Sequence, residues 1–468
     1  MDILLGFLGA SRNVTGSRYL VETSNVKLLV DCGLYQERKF QHRNWEPFRV
    51  PPHELDAVLL THAHLDHCGL LPKLVNEGFQ GRVICTPATA DITKIILLDS
   101  AHLQEEDAAY KKKRHIREGR QGPYPEIPLY TVADAEATFP LFSTVEYNQP
   151  ASLDGGITAT FHDAGHVLGS AMIKLIISQG EEKRSIVFSG DIGRWNRPIL
   201  EDPSVFSKTD YIVMESTYGD REHEDNREIG DELADIVTST YEAGGHVIVP
   251  SFALQRAQEI LYYLNILQME DRIPDLKVYL DSPMAIRVTD VFKRYDELFD
   301  REMKALLRQH RSPFEFPGLT MVETVEESKA LNNLNEPAMI IAGSGMCTGG
   351  RIKHHLVNNI SRPETTVLFT GYQAVGTLGR RILDGAKSVR IHGQQHAVRA
   401  RIEQIHGFSA HADRDDLLKW LSKLTAHPKR IFITHGEVKT AEQFHAFLTA
   451  KTGFEASVPA YNSRVRLQ

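Results

Sequence analysis

Thr61-His62-Ala63-His64-Leu65-Asp66-His67-Cys68-Gly69 sets three imidazoles and a carboxylate within the six residues from His62 to His67. So dense a group of ionisable side chains does not read as a set of satisfied core residues. Neutral imidazole nitrogen and carboxylate oxygen are the donors that suit Zn²⁺ or a similar borderline cation. His62 and His64 alternate to one side of an extended chain. Asp66 and His67 follow a turn and can face a second ion. The competing reading is a chance His-rich loop.

Two isolated residues gain meaning beside that stretch. His166 sits in Asp163-Ala164-Gly165-His166-Val167-Leu168-Gly169-Ser170, a loop with small neighbours. Asp191 ends an apolar run in Ser189-Gly190-Asp191. An ionised carboxylate at a buried strand end is costly unless it meets a cation. Alone, each would read as a surface His or a capped turn. With the cluster upstream, both read as further ligands. Asp31, after Leu28-Leu29-Val30, is placed to orient the His loop from behind.

The surrounding chain repeats one pattern. Val26–Val30 before Asp31, Ala57–Leu60 before Thr61, Ile186–Phe188 before Ser189, and Ile212–Met214 before Glu215 are apolar, β-branched runs ending in polar residues. Strands of this kind are buried on both faces and gather their ends at one sheet edge. A different rhythm begins near Asp220. Ala243–Pro250, Ala338–Ala342 and Thr366–Thr370 each read as a strand, followed by a Gly- or Ser-containing loop and a helix. That series suggests a doubly wound α/β domain. The metal-type pattern resumes at Gly407, which implies that the second domain is inserted into the first. Ala101–Gly122, with Lys111-Lys112-Lys113-Arg114-His115 and Arg117 flanked by acids, reads as a polar helix with a solvated face.

Composition constrains the partners. The net charge of −8 argues mildly against binding polyanions through the overall field, so any phosphates would have to be met locally. Nothing at the amino terminus reads as a signal peptide, and no run approaches the ~20 apolar residues that span a bilayer. Cys32, Cys68, Cys85 and Cys347 show no paired metal-binding spacing and read as reduced thiols of a cytoplasmic protein.

HxHxDH, then a His, then an Asp at strand ends resembles the pattern of the metallo-β-lactamase superfamily. Glu215-Ser216-Thr217-Tyr218-Gly219, Phe408-Ser409-Ala410-His411-Ala412-Asp413 and Thr434-His435-Gly436-Glu437 look like motifs of its β-CASP branch of nucleases. The resemblance covers essentially the whole chain. It is strongest to homologues of the nuclease subunit of the cleavage and polyadenylation machinery. It implies a metallo-β-lactamase αβ/βα sandwich from 1–217 and 405–468, with a β-CASP insert at 218–404. It implies two zinc ions, one held by His62, His64 and His166, the other by Asp66, His67 and His435, with Asp191 bridging. In this branch the last motif resembles His in RNA-processing members and an aliphatic residue in DNA-repair members. His435 therefore points to single-stranded RNA.

The resemblance further implies hydrolysis by a metal-activated water attacking phosphorus in line, with endonuclease or 5′-exonuclease products carrying 5′-phosphate and 3′-hydroxyl. His411 is placed to protonate the leaving oxygen, and Glu215 to orient His411. For the phosphates, the Gly343–Gly350 loop opens a helix and offers an anion site, with Ser344 and Gly345 in the loop. Arg256, Arg351, Arg380 and Arg381 follow the loops of the insert. The bland reading is that these glycines only close tight turns. Lys353, His354 and His355 read as surface helix residues. A DNA nuclease is disfavoured by His435, and two further functions compete. One is a hydrolase of a small molecule such as a lactam, which leaves the insert and His411 without work. The other is a non-catalytic partner subunit, although such proteins usually lose ligands and this chain keeps every one. A homodimer is compatible with all of these.

Overall fold

The computed structural model describes residues 2–119, 122, 124–223 and 228–468. The chain divides into two compact units, Met1–Glu222 with Ala410–Gln468, and His223–Ser409.

The first unit holds two seven-stranded sheets. One runs in the order Ser463–Leu467, Ile3–Phe7, Tyr19–Glu22, Lys27–Val30, Ala57–Leu59, Arg82–Cys85, Phe142–Thr144. The other runs Ala456–Ser457, Arg430–Ile433, Tyr211–Met214, Glu182–Phe188, Ala171–Gln179, Ile157–Asp163, Pro150–Leu153. Side chains alternate across each strand, so one set from each sheet can share a core. Leu5, Phe7, Val30 and Leu59 from the first sheet pack in one buried cluster with Phe161, Ile173, Phe188 and Val213 from the second. The alternate residues Val187, Ile212, Met214 and Ile431 form another cluster with Leu417, Trp420 and Phe444 of the helices Arg414–Leu421 and Val438–Thr452. Helix, sheet and sheet are thus stacked through two apolar layers, the αβ/βα sandwich.

The double-sided burial expected of the strands holds for Lys27–Val30, Ala57–Leu59 and Tyr211–Met214, which pair parallel. It does not hold for Ile157–Asp163 and Ala171–Gln179. These alternate between buried and partly open residues in an antiparallel meander. The polar helix is longer than its charged part. It begins at Pro87, with Thr86 Oγ1 accepting from Thr89 N, and ends at Glu118 before a left-handed Gly119. Residues 120 and 121 of the expected stretch lie outside the described residues.

The second unit contains a six-stranded, wholly parallel sheet in the order Leu319–Met321, Lys277–Asp281, Ala338–Ala342, Val247–Pro250, Thr366–Phe369, Arg401–Gln404. The strand expected from Ala243 begins only at Val247. The helix Ile229–Glu242 instead runs up to Ala243, its C-cap, and turns at Gly244. All four cysteines are buried free thiols. Among the described residues no helix is long and apolar enough to cross a membrane.

Candidate metal centre

Strand ends deliver the polar residues. Asp31 follows Lys27–Val30, the His62–His67 stretch follows Ala57–Leu59, and Glu215 and His435 follow Tyr211–Met214 and Arg430–Ile433. His64 is extended and caps a single helical turn, Leu65–Cys68, on which Asp66 and His67 ride. The stretch is held from behind by the chain after Asp31. Cys32 N donates to His67 O at 2.7 Å and Leu34 N to Leu65 O at 2.9 Å. Gly33 is required there, because a β-carbon would stand 1.7 Å from Asp66 O. Asp31 and His435 both adopt left-handed backbone, at φ 61° and 48°. Such conformations cost about 1–3 kcal/mol in non-glycine residues and persist where the surroundings over-determine them.

The side chains converge in two groups that share Asp191. In the first, His62 Nε2 is 3.0 Å from His64 Nδ1, and His166 Nε2 is 3.3 Å from the same atom. Asp191 Oδ2 lies 3.4 Å from His62 Nε2 and 3.5 Å from His166 Nε2. In the second, His67 Nε2 is 3.0 Å from His435 Nε2, which is 3.4 Å from Asp66 Oδ2. Asp191 Oδ1 is 3.3 Å from His67 Nε2 and 3.5 Å from His435 Nε2. Ligands about 2.0–2.1 Å from a tetrahedral zinc stand about 3.3–3.4 Å from one another, so both groups have the spacing of a coordination shell. Asp191 Oδ1 is buried and accepts no hydrogen bond from the described residues. A buried carboxylate oxygen left in that state is expensive unless a cation meets it.

The outward nitrogens fix the tautomers. His62 Nδ1 lies 3.1 Å from Thr61 Oγ1, His67 Nδ1 donates to Asp31 Oδ2 at 2.8 Å, and His166 Nδ1 donates to Ala410 O at 3.3 Å. His435 Nδ1 lies 3.2 Å from Thr217 Oγ1, which donates to Glu215 Oε2 at 2.5 Å. Each outer bond leaves the inward Nε2 bare in the neutral ring, as a metal ligand requires. Thr61 also donates to Asp31 through N and Oγ1, at 2.8 and 3.0 Å. The orienting role expected of Asp31 has this geometry behind it. Thr61 and Thr217 were missed as supports, because a lone threonine beside a histidine carries no distinctive pattern.

Burial holds His62 down at about 4, with the His67 charge adding to it, and His64 at about 3; His166 is likewise well below the usual imidazole range. These three stay neutral and able to donate lone pairs. Burial works the same way on His67 and His435, yet Asp191 raises both above the ordinary value, joined by Asp31 at His67 and by Asp66 at His435. The carboxylates thus favour positive charge at this group. Asp66 and Asp191 are lowered although burial opposes it, by the imidazoles around them.

His411 stands beside both groups, its ring centroid 4.6 Å from that of His166 and 6.3 Å from that of His435. Its backbone bridges to Gly193, and its Nδ1 is 3.1 Å from Glu215 Oε2. Burial favours the neutral ring, but Glu215 and Asp191 raise it to about 9. Glu215 is itself fixed by Ile192 N at 2.5 Å. His411 remains partly open, with 22% of its side chain exposed.

The expected phosphate contacts look different. Ser344 Oγ accepts from Thr348 N at 3.0 Å and Gly349 N at 3.2 Å, so these loop amides already have a partner. Arg256 is buried against Glu259 at 2.6 Å, Arg351 binds Asp281 at 2.6 Å, and Arg380 is paired with Asp384 at 2.8 Å. Arg381 is exposed and Gly345 packs under Phe252. His355 is not a surface residue. It is buried, with Nε2 donating at 2.6 Å to Asp281, which also accepts from Ser328. Its place on the inner side of a short amphipathic helix has no signature in a two-histidine run.

Comparison with known proteins adds the following. Residues 20–215 match a metallo-beta-lactamase superfamily domain, 257–382 a Beta-Casp domain, and 395–459 a Zn-dependent metallo-hydrolase RNA specificity domain. The chain is 40% identical over 429 residues to Ribonuclease TTHA0252 of Thermus thermophilus, covering 92% of each. It is 32% identical to Transcription termination factor FttA of Methanocaldococcus jannaschii over 93% of this chain and 67% of that one. A crystal structure of a protein of unknown function from Enterococcus faecalis V583 superposes with a TM-score of 0.58 at 12% identity over the full length of both, a likeness of fold.

Proposed function

We propose a residue-level mechanism for this chain, which belongs to the β-CASP RNA-processing branch of the metallo-β-lactamase superfamily. It is a zinc-dependent ribonuclease. The substrate is single-stranded RNA, cut to leave 5′-phosphate and 3′-hydroxyl. The observation that supports it most is the pair of ligand groups joined through the two oxygens of Asp191. His62, His64 and His166 would hold one zinc, and Asp66, His67 and His435 the other. When bound, the ions supply an acidified water, its pKa brought from 15.7 toward ~7 by a single zinc, and positive charge against the phosphoryl oxygens.

The chain's own residues do the rest. Thr61, Asp31, Thr217 and Ala410 O keep the ligand nitrogens aimed inward. Glu215 holds the His411 ring and favours its charged form, so that the ring can give a proton to the leaving 3′-oxygen. His411's partial exposure leaves it within reach of a strand. A cytoplasmic location, with four buried free thiols, belongs to the same proposal.

The test uses zinc-loaded protein with end-labelled single-stranded RNA, single-stranded DNA and a lactam. Cleavage of RNA with mapped 5′-phosphate and 3′-hydroxyl ends is the expected result, alongside two zinc ions per chain by elemental analysis. Lactam hydrolysis with intact RNA would reject the substrate, and one ion or none after zinc addition would reject the paired centre.

A further inference from the structure

Phe252 lies just after the strand Val247–Pro250, at the edge of the second unit's sheet where the parallel strands end, and it is 38% exposed. In open α/β sheets that edge is where ligands collect. The ring rests on the backbones of two further loops from the same edge. A β-carbon at Gly345 would stand 2.6 Å from its Cδ2, and one at Gly371 would stand 2.9 Å from its Cε2. Any other residue at either position would push the ring away. Gln373, a buried side chain, ties the two loops together, its Nε2 donating to Gly345 O at 2.8 Å and to Gly371 O at 3.1 Å. The aromatic ring therefore has a stiff floor of backbone.

The surroundings are unusual for a solvent face. Tyr372, beside Gly371, is 59% exposed, and Val375 is 85% exposed. Both stand in the loop that begins at Gly371, against which the Phe252 ring rests. Arg380 and the exposed Arg381 stand on the helix Leu378–Leu383, which opens directly after that loop. Flat aromatic surface beside cations matches an unpaired base with its phosphate. It suits an apolar protein partner less well, because the arginines would have to be desolvated.

We propose that Phe252, flanked by Tyr372, is a stacking platform for one unpaired nucleobase of the bound RNA strand. This rests on the ribonuclease reading above. Every base has a π face, so the platform holds the strand without choosing its sequence. It also gives the acidic chain an attachment to RNA that does not depend on its overall charge.

The experiment measures binding of the full zinc-loaded chain to a short single-stranded RNA with phosphorodithioate linkages, which keep the charge and resist hydrolysis. A 2-aminopurine is walked along the strand, since its fluorescence is quenched on stacking. In the wild type, one position should be quenched. In Phe252→Leu that quenching should vanish, and affinity should fall roughly 5- to 140-fold, the usual range for one stacked base. Phe252→Tyr should restore both, which separates lost stacking from a damaged loop. An abasic site at the quenched position should weaken the wild type and leave Phe252→Leu nearly unchanged. Wild-type protein that binds and cuts RNA, with no quenched position and equal affinity in Phe252→Leu, overturns the platform alone and leaves the patch to a protein contact. Wild-type protein that neither binds nor cuts RNA overturns the ribonuclease reading and the platform with it.

Discussion

The metal cluster and the Gly343–Gly350 loop both sit at the ends of buried strands, yet their polar atoms are satisfied in opposite directions. Around Asp191 the outer atoms are bonded and the inner ones are left facing each other, with nitrogens 3.0 Å apart. In the glycine loop the inner atoms bond one another, Ser344 Oγ taking the amides of residues 348 and 349. The first arrangement leaves donor atoms facing one another, which a cation at its centre would satisfy. The second is complete as it stands, and what it offers a phosphate lies on its outside. Convergent side chains with unmet lone pairs therefore identify a site more firmly than glycine-rich turns do.

The largest expected effect follows from Asp191, because one carboxylate serves both groups. Asp191→Ala should lose both zinc ions and reduce RNA cleavage by more than the ~10⁴-fold that one proton donor supplies. It should also erase the stabilisation by metal, which reaches about 4 kcal/mol when free zinc is a thousandfold above its Kd. Calorimetry with and without zinc reads this directly. A variant with two zincs and a wild-type melting temperature would break the contrast drawn above.

His411→Ala should come next. It keeps the seven side chains proposed as ligands, so zinc content should be unchanged while the chemical step slows by about 10²–10⁴. An RNA with a 3′-thio leaving group needs less help from an acid and should recover much of that loss. His435→Ala, which removes Nε2 from the second group, should not be rescued and should lose zinc. Equal loss on both substrates, or zinc loss in His411→Ala, would show the roles reversed.

Asp31→Asn should have a moderate effect. It keeps the shape but weakens the acceptor that fixes His67 Nδ1 and Thr61. Outer partners of metal-bound histidines are commonly worth 10–100-fold in metal affinity, and zinc titration should find a loss of about that size. No change would mean that the turn at Leu65–Cys68 positions His67 unaided.

How much of this was legible in sequence follows the same division. The residues that converge were readable because HxHxDH is a dense local group of donors, and because Asp191 and His166 lie at ends of apolar runs. Asp31 was readable by its place after Val30. Thr217 and Thr61 were not, since hydroxyl supports are common residues whose value depends on a partner far away in the chain. The parallel strands were legible from continuous burial. The meander Ile157–Phe188 was read only in its last strand, at Ile186–Phe188, because its alternation is softened by partly buried polar residues. In the second unit, Arg256 pairs with Glu259 one helical turn on, and His355 turns inward to Asp281 on a strand distant in sequence, a pairing set by tertiary packing. Phe252 was passed over for the opposite reason, as an ordinary aromatic beside a strand.

The smallest expected effect concerns the outer rim of the glycine-loop edge. Arg380 already pairs with Asp384 and Arg381 stands exposed on the same helix turn, so neither contributes to the core. Replacing both with Ala should leave the melting temperature and zinc content unchanged. RNA affinity is the sensitive readout, measured as a function of salt. Each phosphate contact on a single strand contributes about 0.7 to the slope of log affinity against log salt. In this double variant the slope should fall by about 1.4 if both arginines contact phosphate, and by about 0.7 if only Arg381 does. The second result would mean that Asp384 keeps Arg380 occupied even when RNA is bound. An unchanged slope in the double variant would remove this edge from the phosphate path, and the strand's charge would then have to be met elsewhere on the chain.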